Sequence, residues 1–183
     1  GSDQFDQRTG REGVFGKYTS RRGTFEKFPG WSGVKTEADR EQYERAFLEK
    51  FDVLYRQGRV HGPAHLGLGQ EAIAVGVGSV LTPRDNSIGT YRGHAHALAR
   101  GASPEGILAE LLGKAGGICA GKGGSMHITS VEHGYYGSYA IVGAHLPIAS
   151  GLAWASKIKK TDEVTVCFFG DGAANQGILH EAC

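Results

Sequence analysis

An α/β domain with a mostly parallel sheet flanked by helices is the architecture expected here, and three observations point to it. Val164 to Phe169 is a continuous apolar run, suited to a central parallel strand buried on both faces. It runs directly into Gly170-Asp171-Gly172-Ala173-Ala174, a tight turn, and then into Asn175 to Cys183, which begins a helix. Strand, glycine turn and helix in that order form the unit in which open sheets place ligands at the carboxyl ends of their strands.

The bulk composition allows this and excludes several alternatives. At 183 residues, 40% of them hydrophobic and 21% charged, the chain has the length of one domain, or of a domain cut from a longer one. Its net charge of +1 provides no long-range field toward nucleic acid or an anionic membrane. Thirty glycines are clustered without a three-residue period, which excludes collagen, and apolar runs that need burying exclude a disordered chain. Cys119, Cys167 and Cys183 are odd in number and lack a Cys-x-x-Cys pair, so they fit a reducing compartment and not a disulfide framework. No apolar run approaches a membrane span, and no signal peptide is visible.

In chain order, residues 1 to about 35 mix glycine, basic residues and isolated aromatics without a period, and read as an extended arm opening on Gly1-Ser2, an expression-tag remnant. Thr36 with Asp39 resembles a capping box, and Tyr43, Phe47, Phe51 and Leu54 fall on one helical stripe until Gly58. A second helix of small residues runs from Gln70 to Val80 and stops at Thr82-Pro83. Asn86 to Tyr91 is a short strand, and Ser103-Pro104-Glu105 starts a helix that buries Ile107, Leu108, Leu111 and Leu112 before Gly113. Lys114 to Gly124 is a glycine-rich loop, and the chain is read as irregular from there to about Ala140. Leu146 to Lys159 has helical spacing through Ile148, Leu152, Ala155 and Ile158.

At the last turn, Gly170-Asp171-Gly172 gives a carboxylate at a strand end, with glycines that let backbone amides approach a phosphate. Magnesium takes a few hard oxygen ligands together with phosphate oxygens, so one aspartate suits a magnesium diphosphate. Alone, the tripeptide is equally a common turn. Gly116 to Lys122 spells Gly-x-x-x-x-Gly-Lys, the pattern of phosphate-loop nucleotidases. Gly123 stands where a Ser or Thr should bind magnesium, and a helix in place of a strand precedes the loop, so that reading is rejected. His94, His96 and His127 have no acidic or cysteine partner at ligand spacing, which favours hydrogen-bonding roles over zinc.

Five segments read together carry more. They are His65-Leu66-Gly67-Leu68-Gly69-Gln70-Glu71-Ala72, Thr90-Tyr91-Arg92-Gly93-His94, Gly121-Lys122-Gly123-Gly124-Ser125-Met126-His127, Ile141-Val142-Gly143-Ala144 and Gly170 to Gly177. In order and spacing they resemble the alpha subunits of pyruvate and acetoin dehydrogenase complexes, and the resemblance covers nearly everything after about residue 40. It implies a thiamine-diphosphate-binding domain over residues 36–183, truncated at its carboxyl side, because the family's magnesium motif continues to an Asn-containing segment beyond Cys183. It implies that Asp171 binds magnesium, that Gly172 and Ala173 contact the diphosphate through their backbone, and that Tyr91 and Arg92 hold it from the other side. Ala140 and Val142 would meet the aminopyrimidine ring, and His65 would assist proton transfer or substrate binding.

The same resemblance implies decarboxylation of pyruvate, or cleavage of acetoin, with transfer of the acyl group to a lipoyl-bearing acyltransferase. It further implies a beta subunit in an α2β2 heterotetramer that supplies the glutamate activating the cofactor. The expected location is the cytoplasm in a bacterium and the mitochondrial matrix in a eukaryote. The alternative is a catalytically silent assembly subunit that keeps the fold.

Overall fold

The computed structural model describes residues 36–60 and 62–183; the expected arm over residues 1–35 lies outside them. The chain begins with α1 (Glu37–Arg56) and α2 (Glu71–Val80), followed by β1 (Asn86–Thr90). Then come α3 (His94–Ala99), α4 (Pro104–Leu111), a 3-10 turn (Val131–His133) and β2 (Tyr135–Tyr139). The last elements are α5 (His145–Lys159), β3 (Thr165–Cys167), α6 (Asp171–Ala174) and α7 (Gly177–Ala182). The three strands form one parallel sheet in the order β2-β1-β3.

Helix α1 starts where its cap dictates. The Thr36 side chain accepts from the Asp39 backbone N–H at 3.2 Å, and the Asp39 carboxylate accepts from the Thr36 N–H at 2.9 Å. Its apolar stripe Tyr43, Phe47, Phe51 and Leu54 is buried, joined by Leu48. Gly58, at φ +69°, closes the helix in the left-handed region. Helix α2 crosses α3 closely: a Cβ on Gly78 would stand 2.9 Å from the Ala99 Cβ, so glycine sets the approach of the two helices. Helix α4 begins at Ser103, whose hydroxyl accepts from the Gly106 N–H at 3.1 Å, with Pro104 in the first turn and Ile107, Leu108 and Leu111 in the core.

The structure departs from the sequence reading at five points. The stretch taken as irregular contains strand β2, and the residues after Arg92 form the six-residue helix α3. The final turn and helix are two pieces, α6 and α7, not one helix from Asn175. The Val164–Phe169 run pairs in parallel but shortens to Thr165–Cys167 and lies at the edge of the described strands, half-buried, not at their centre. In α5 the inward stripe runs through His145, Leu146, Ala149 and Ser156, with Leu152 and Ala155 half-buried, while Ile148 and Ile158 face outward. Polar anchors at both ends set this rotation. His145 Nε2–H donates to the Phe168 carbonyl at 2.8 Å, and Ser156 Oγ donates to Glu163 Oε2 at 3.0 Å.

The glycine-rich loop after α4 is organised by a buried carboxylate. Glu110, with no exposed surface, accepts backbone N–H bonds from Cys119 (2.8 Å), Gly121 (2.8 Å), Gly123 (2.6 Å) and Gly124 (3.1 Å). Burial raises its pKa, but those four donors outweigh it and hold the group below its ordinary value. Glu44 on α1 is the opposite case. It is 1% exposed, its Oε2 has no hydrogen-bond partner among the described residues, and burial, then the charges of Glu71 and Glu41, push its pKa well above the ordinary value against the opposing pull of Arg40.

Two predictions of opposite sign follow for the full-length protein. Glu110 has a lowered folded pKa, so its contribution is present above the unfolded value and is lost as pH falls through the folded one. Glu110→Gln should cost about 3 kcal/mol at neutral pH in chemical denaturation, since charge-assisted bonds to buried amides are weakened; a change below about 0.5 kcal/mol would contradict the cage. Glu44 has a raised folded pKa, so its contribution is present below the unfolded value and is lost as pH rises through the folded one. Melting curves at pH 5 and pH 8 should show Glu44→Gln gaining stability over wild type at the higher pH, and equal differences at both would contradict the assignment.

Candidate active site

The three strands end on a common cavity of about 500 Å³. From the end of β1 come Thr90, Tyr91 and Arg92, from the end of β2 come Tyr139, Ile141, Val142 and Gly143, and from β3 onward come Cys167 to Ala173. This convergence follows from the parallel pairing, Ser87 with Val166 and Ile88 with Cys167 on one side of β1, and Thr90 with Tyr139 on the other. Ligands of open α/β sheets bind in such crevices.

Arg92 is held in place at its Nε, which donates to the Leu66 carbonyl at 3.2 Å, while its terminal nitrogens make no hydrogen bond among the described residues. Its guanidinium carbon stands 5.6 Å from the centre of the Tyr91 ring. Asp171, the first residue of α6, is exposed, and its carboxylate has no partner among the described residues. The two opposite charges line the same cavity yet form no ion pair with each other among the described residues. A ligand carrying negative charge and a cation can therefore reach both without breaking an existing bridge.

The backbone around Asp171 is open. Nothing stands within 4 Å of a Cβ placed on Gly170, and a Cβ on Gly172 would meet only Val142 Cγ1, at 3.7 Å. Gly143 differs: its φ is +83°, and a Cβ there would come within 2.9 Å of both Gln176 Oε1 and Ile178 Cγ2, so glycine brings the end of β2 against the segment after α6.

Of the residues expected at the site, Tyr91, Arg92, Val142, Asp171, Gly172 and Ala173 line the cavity. His65 and Ala140 do not. His65 packs against the lining residue Tyr91, ring centroids 4.6 Å apart, and Ala140 lies half-buried between two lining residues, Tyr139 and Ile141. The structure adds lining residues that the sequence reading left out: Gln70 and Ile73 from α2, His96 from α3, Tyr139 from β2 and His145 from α5. Those on α3 and β2 went unseen because these elements themselves did.

His94, the neighbour of His96 on α3, is fully buried, with its Nε2 3.0 Å from Ser125 Oγ. Burial outweighs that bond and lowers its pKa to about 4, keeping the ring neutral. Its hydrogen-bonding role matches the expectation. The Gly116–Lys122 segment does not offer its amides to a ligand from Gly117 onward: those of Cys119 and Gly121 serve Glu110, and those of Gly117, Ile118, Ala120 and Lys122 bond backbone carbonyls.

Comparison with known proteins agrees with this geometry. Residues 39–183 match the family model described as dehydrogenase E1 component. The chain is 48% identical over 137 residues to the alpha subunit of acetoin:2,6-dichlorophenolindophenol oxidoreductase from Bacillus subtilis, covering 75% of this chain and 41% of that protein. It is 47% identical over 138 residues to the alpha subunit of the pyruvate dehydrogenase E1 component from Rhizobium meliloti, covering 75% and 40%. With the corresponding subunit from Zymomonas mobilis it shares 48% identity over 139 residues, covering 75% and 39%. The chain thus spans about two-fifths of the length of these relatives. With strand ends, turn and sequence in agreement over most of its length, the chain belongs to the dehydrogenase E1 component family.

Proposed function

We propose that this chain is part of an alpha subunit of a thiamine-diphosphate-dependent E1 component, and that its cavity holds the magnesium diphosphate end of that cofactor. One observation carries the reading: Arg92 after β1 and Asp171 after β3 face a single cavity without pairing to each other among the described residues.

The residues present fit such a group. Asp171 offers an exposed carboxylate, a hard oxygen ligand of the kind magnesium selects. Arg92 offers a planar fork of donors already oriented through its Nε, and Tyr91 lies beside it. Gly170 and Gly172 leave the backbone open to close approach, and the amides of Gly172 and Ala173 start a helical turn and lack partners within it.

The exposed Val142 side chain lies near the same turn and provides an apolar wedge for the cofactor's rings, beside the main-chain groups of Ala140. His65, packed against the cavity-lining Tyr91, is assigned to proton transfer or substrate binding. Once bound, the cofactor supplies the carbanion stabilisation needed to decarboxylate pyruvate or cleave acetoin. The relatives are named as alpha subunits, which supports completion by a beta subunit. We extend this to an α2β2 heterotetramer serving a lipoyl-bearing acyltransferase.

Calorimetric titration of thiamine diphosphate into the full-length protein assembled with its beta subunit tests this, with magnesium present and then chelated. Asp171→Ala should weaken binding by roughly a hundredfold or more, since the diphosphate charge loses its bridging cation. Arg92→Ala should cost less, roughly tenfold, because it removes one of several contacts. Wild-type affinity in the Asp171 variant, or binding indifferent to chelation, would show that Gly170-Asp171-Gly172 is only a turn.

A further inference from the structure

Four imidazoles stand in or beside the cavity, and three have a visible task. His65 packs against Tyr91 with its ring plane tilted by 54°, His94 bonds Ser125, and His145 bonds the Phe168 carbonyl. His96 remains. It lies on α3, four residues beyond Arg92, and lines the cavity. Its ring is stacked on Phe168 with centroids 3.8 Å apart and planes 20° apart, which fixes the plane of the imidazole. Phe168 in turn lies three residues before Asp171, so the ring stands between the two segments that bring opposite charges to the site.

The two ring nitrogens differ. Nδ1 is buried with no hydrogen-bond partner among the described residues. Nε2 makes no hydrogen bond among the described residues either, but it is not fully buried, so it is the polar atom left to face the cavity. Burial lowers the pKa of the ring to about 4, so it is neutral at physiological pH and carries a single N–H. A proton on Nδ1 would create an orphaned buried N–H, which is rare in folded proteins, whereas an under-satisfied acceptor is tolerated more often. The favoured tautomer carries its proton on Nε2 and presents a donor to the cavity.

We propose that His96 is a cofactor-binding residue whose Nε2–H donates to a diphosphate oxygen of the bound ligand. This rests on the reading of the cavity given above. The role differs from that of Arg92: His96 contributes direction without charge, from a ring whose angle is set by Phe168.

The test uses the full-length protein assembled with its beta subunit, titrated calorimetrically with thiamine diphosphate and separately with pyrophosphate, both with magnesium. His96→Phe keeps an aromatic ring against Phe168 and removes the donor. It should bind both ligands roughly tenfold more weakly, the scale of one hydrogen bond to a charged acceptor, and melt close to wild type. His96→Gln places an amide N–H near the position of Nε2 and should recover most of the loss, while His96→Asn reaches only toward Nδ1 and should not. If His96→Phe fails to fold, the Gln and Asn pair still decides.

Wild-type affinity in His96→Phe, or rescue by Asn in place of Gln, would overturn the inference. If wild type binds with a dependence on Asp171 while His96→Phe is unaffected, only the role of His96 falls. If wild type binds neither ligand, the reading of the cavity falls and this inference with it.

Discussion

The register between β1 and β3 is the constraint on which the site depends, and Asp85 sets it. One carboxylate oxygen accepts the Val164 N–H at 2.9 Å, and the other accepts the Thr82 N–H at 2.6 Å and the Thr82 hydroxyl at 2.7 Å. The next residue continues the pairing, with the Asn86 N–H on the Val164 carbonyl at 2.8 Å. Arg100 bonds the Asp85 carbonyl from α3's end. Burial raises the Asp85 pKa, but the Val164 and Thr82 bonds and the Arg100 charge outweigh it, so the group is held ionised below its ordinary value. With the strand starts tied together, their carboxyl ends finish level, and Arg92 and Asp171 emerge on one cavity. A slip of one residue would turn every side chain of β3 to the opposite face.

The second organising group is the buried Glu110 carboxylate, and it separates two kinds of glycine in this chain. Those at Gly121, Gly123 and Gly124 serve an internal anion and shape the loop under the core. Gly170 and Gly172 leave open backbone beside Asp171 among the described residues. Which of the two patterns keeps amides available to a ligand is decided by which are already bonded. The internal anion sits on α4, several residues before the loop it organises, and its pairing to four amides is a tertiary fact that spacing alone does not express.

Much of the frame was nonetheless legible. Helices α1 and α4 follow from their caps and stripes, because Thr36 with Asp39 and Ser103 with Pro104 write their starts locally. Strand β1 and the turn at Asp171 follow from local pattern as well. Strand β2 does not: Tyr135-Tyr-Gly-Ser-Tyr139 lacks a β-branched run, Gly137 sits at φ +127°, and its register against β1 shifts between Ser87 and Gly89. Helix α3 is too short to show a period. The rotation of α5 is fixed by His145 and Ser156, polar residues that a hydrophobic pattern ignores. Among the site residues, Arg92 and Asp171 were legible through motif context, whereas His96 depends on the tertiary stacking of α3 on Phe168.

The central claim is that parallel strand ends bring Arg92 and Asp171 to opposite sides of one diphosphate. The most direct measurement is a crystal structure of the full-length protein assembled with its beta subunit, grown with thiamine diphosphate and magnesium. The account predicts the diphosphate in the cavity after β1 and β3, with a cation on the Asp171 carboxylate and the terminal nitrogens of Arg92 on phosphate oxygens. A diphosphate seated instead on the amides of Gly121, Gly123 and Gly124, with the Glu110 cage opened and Asp171 directed away, would contradict it.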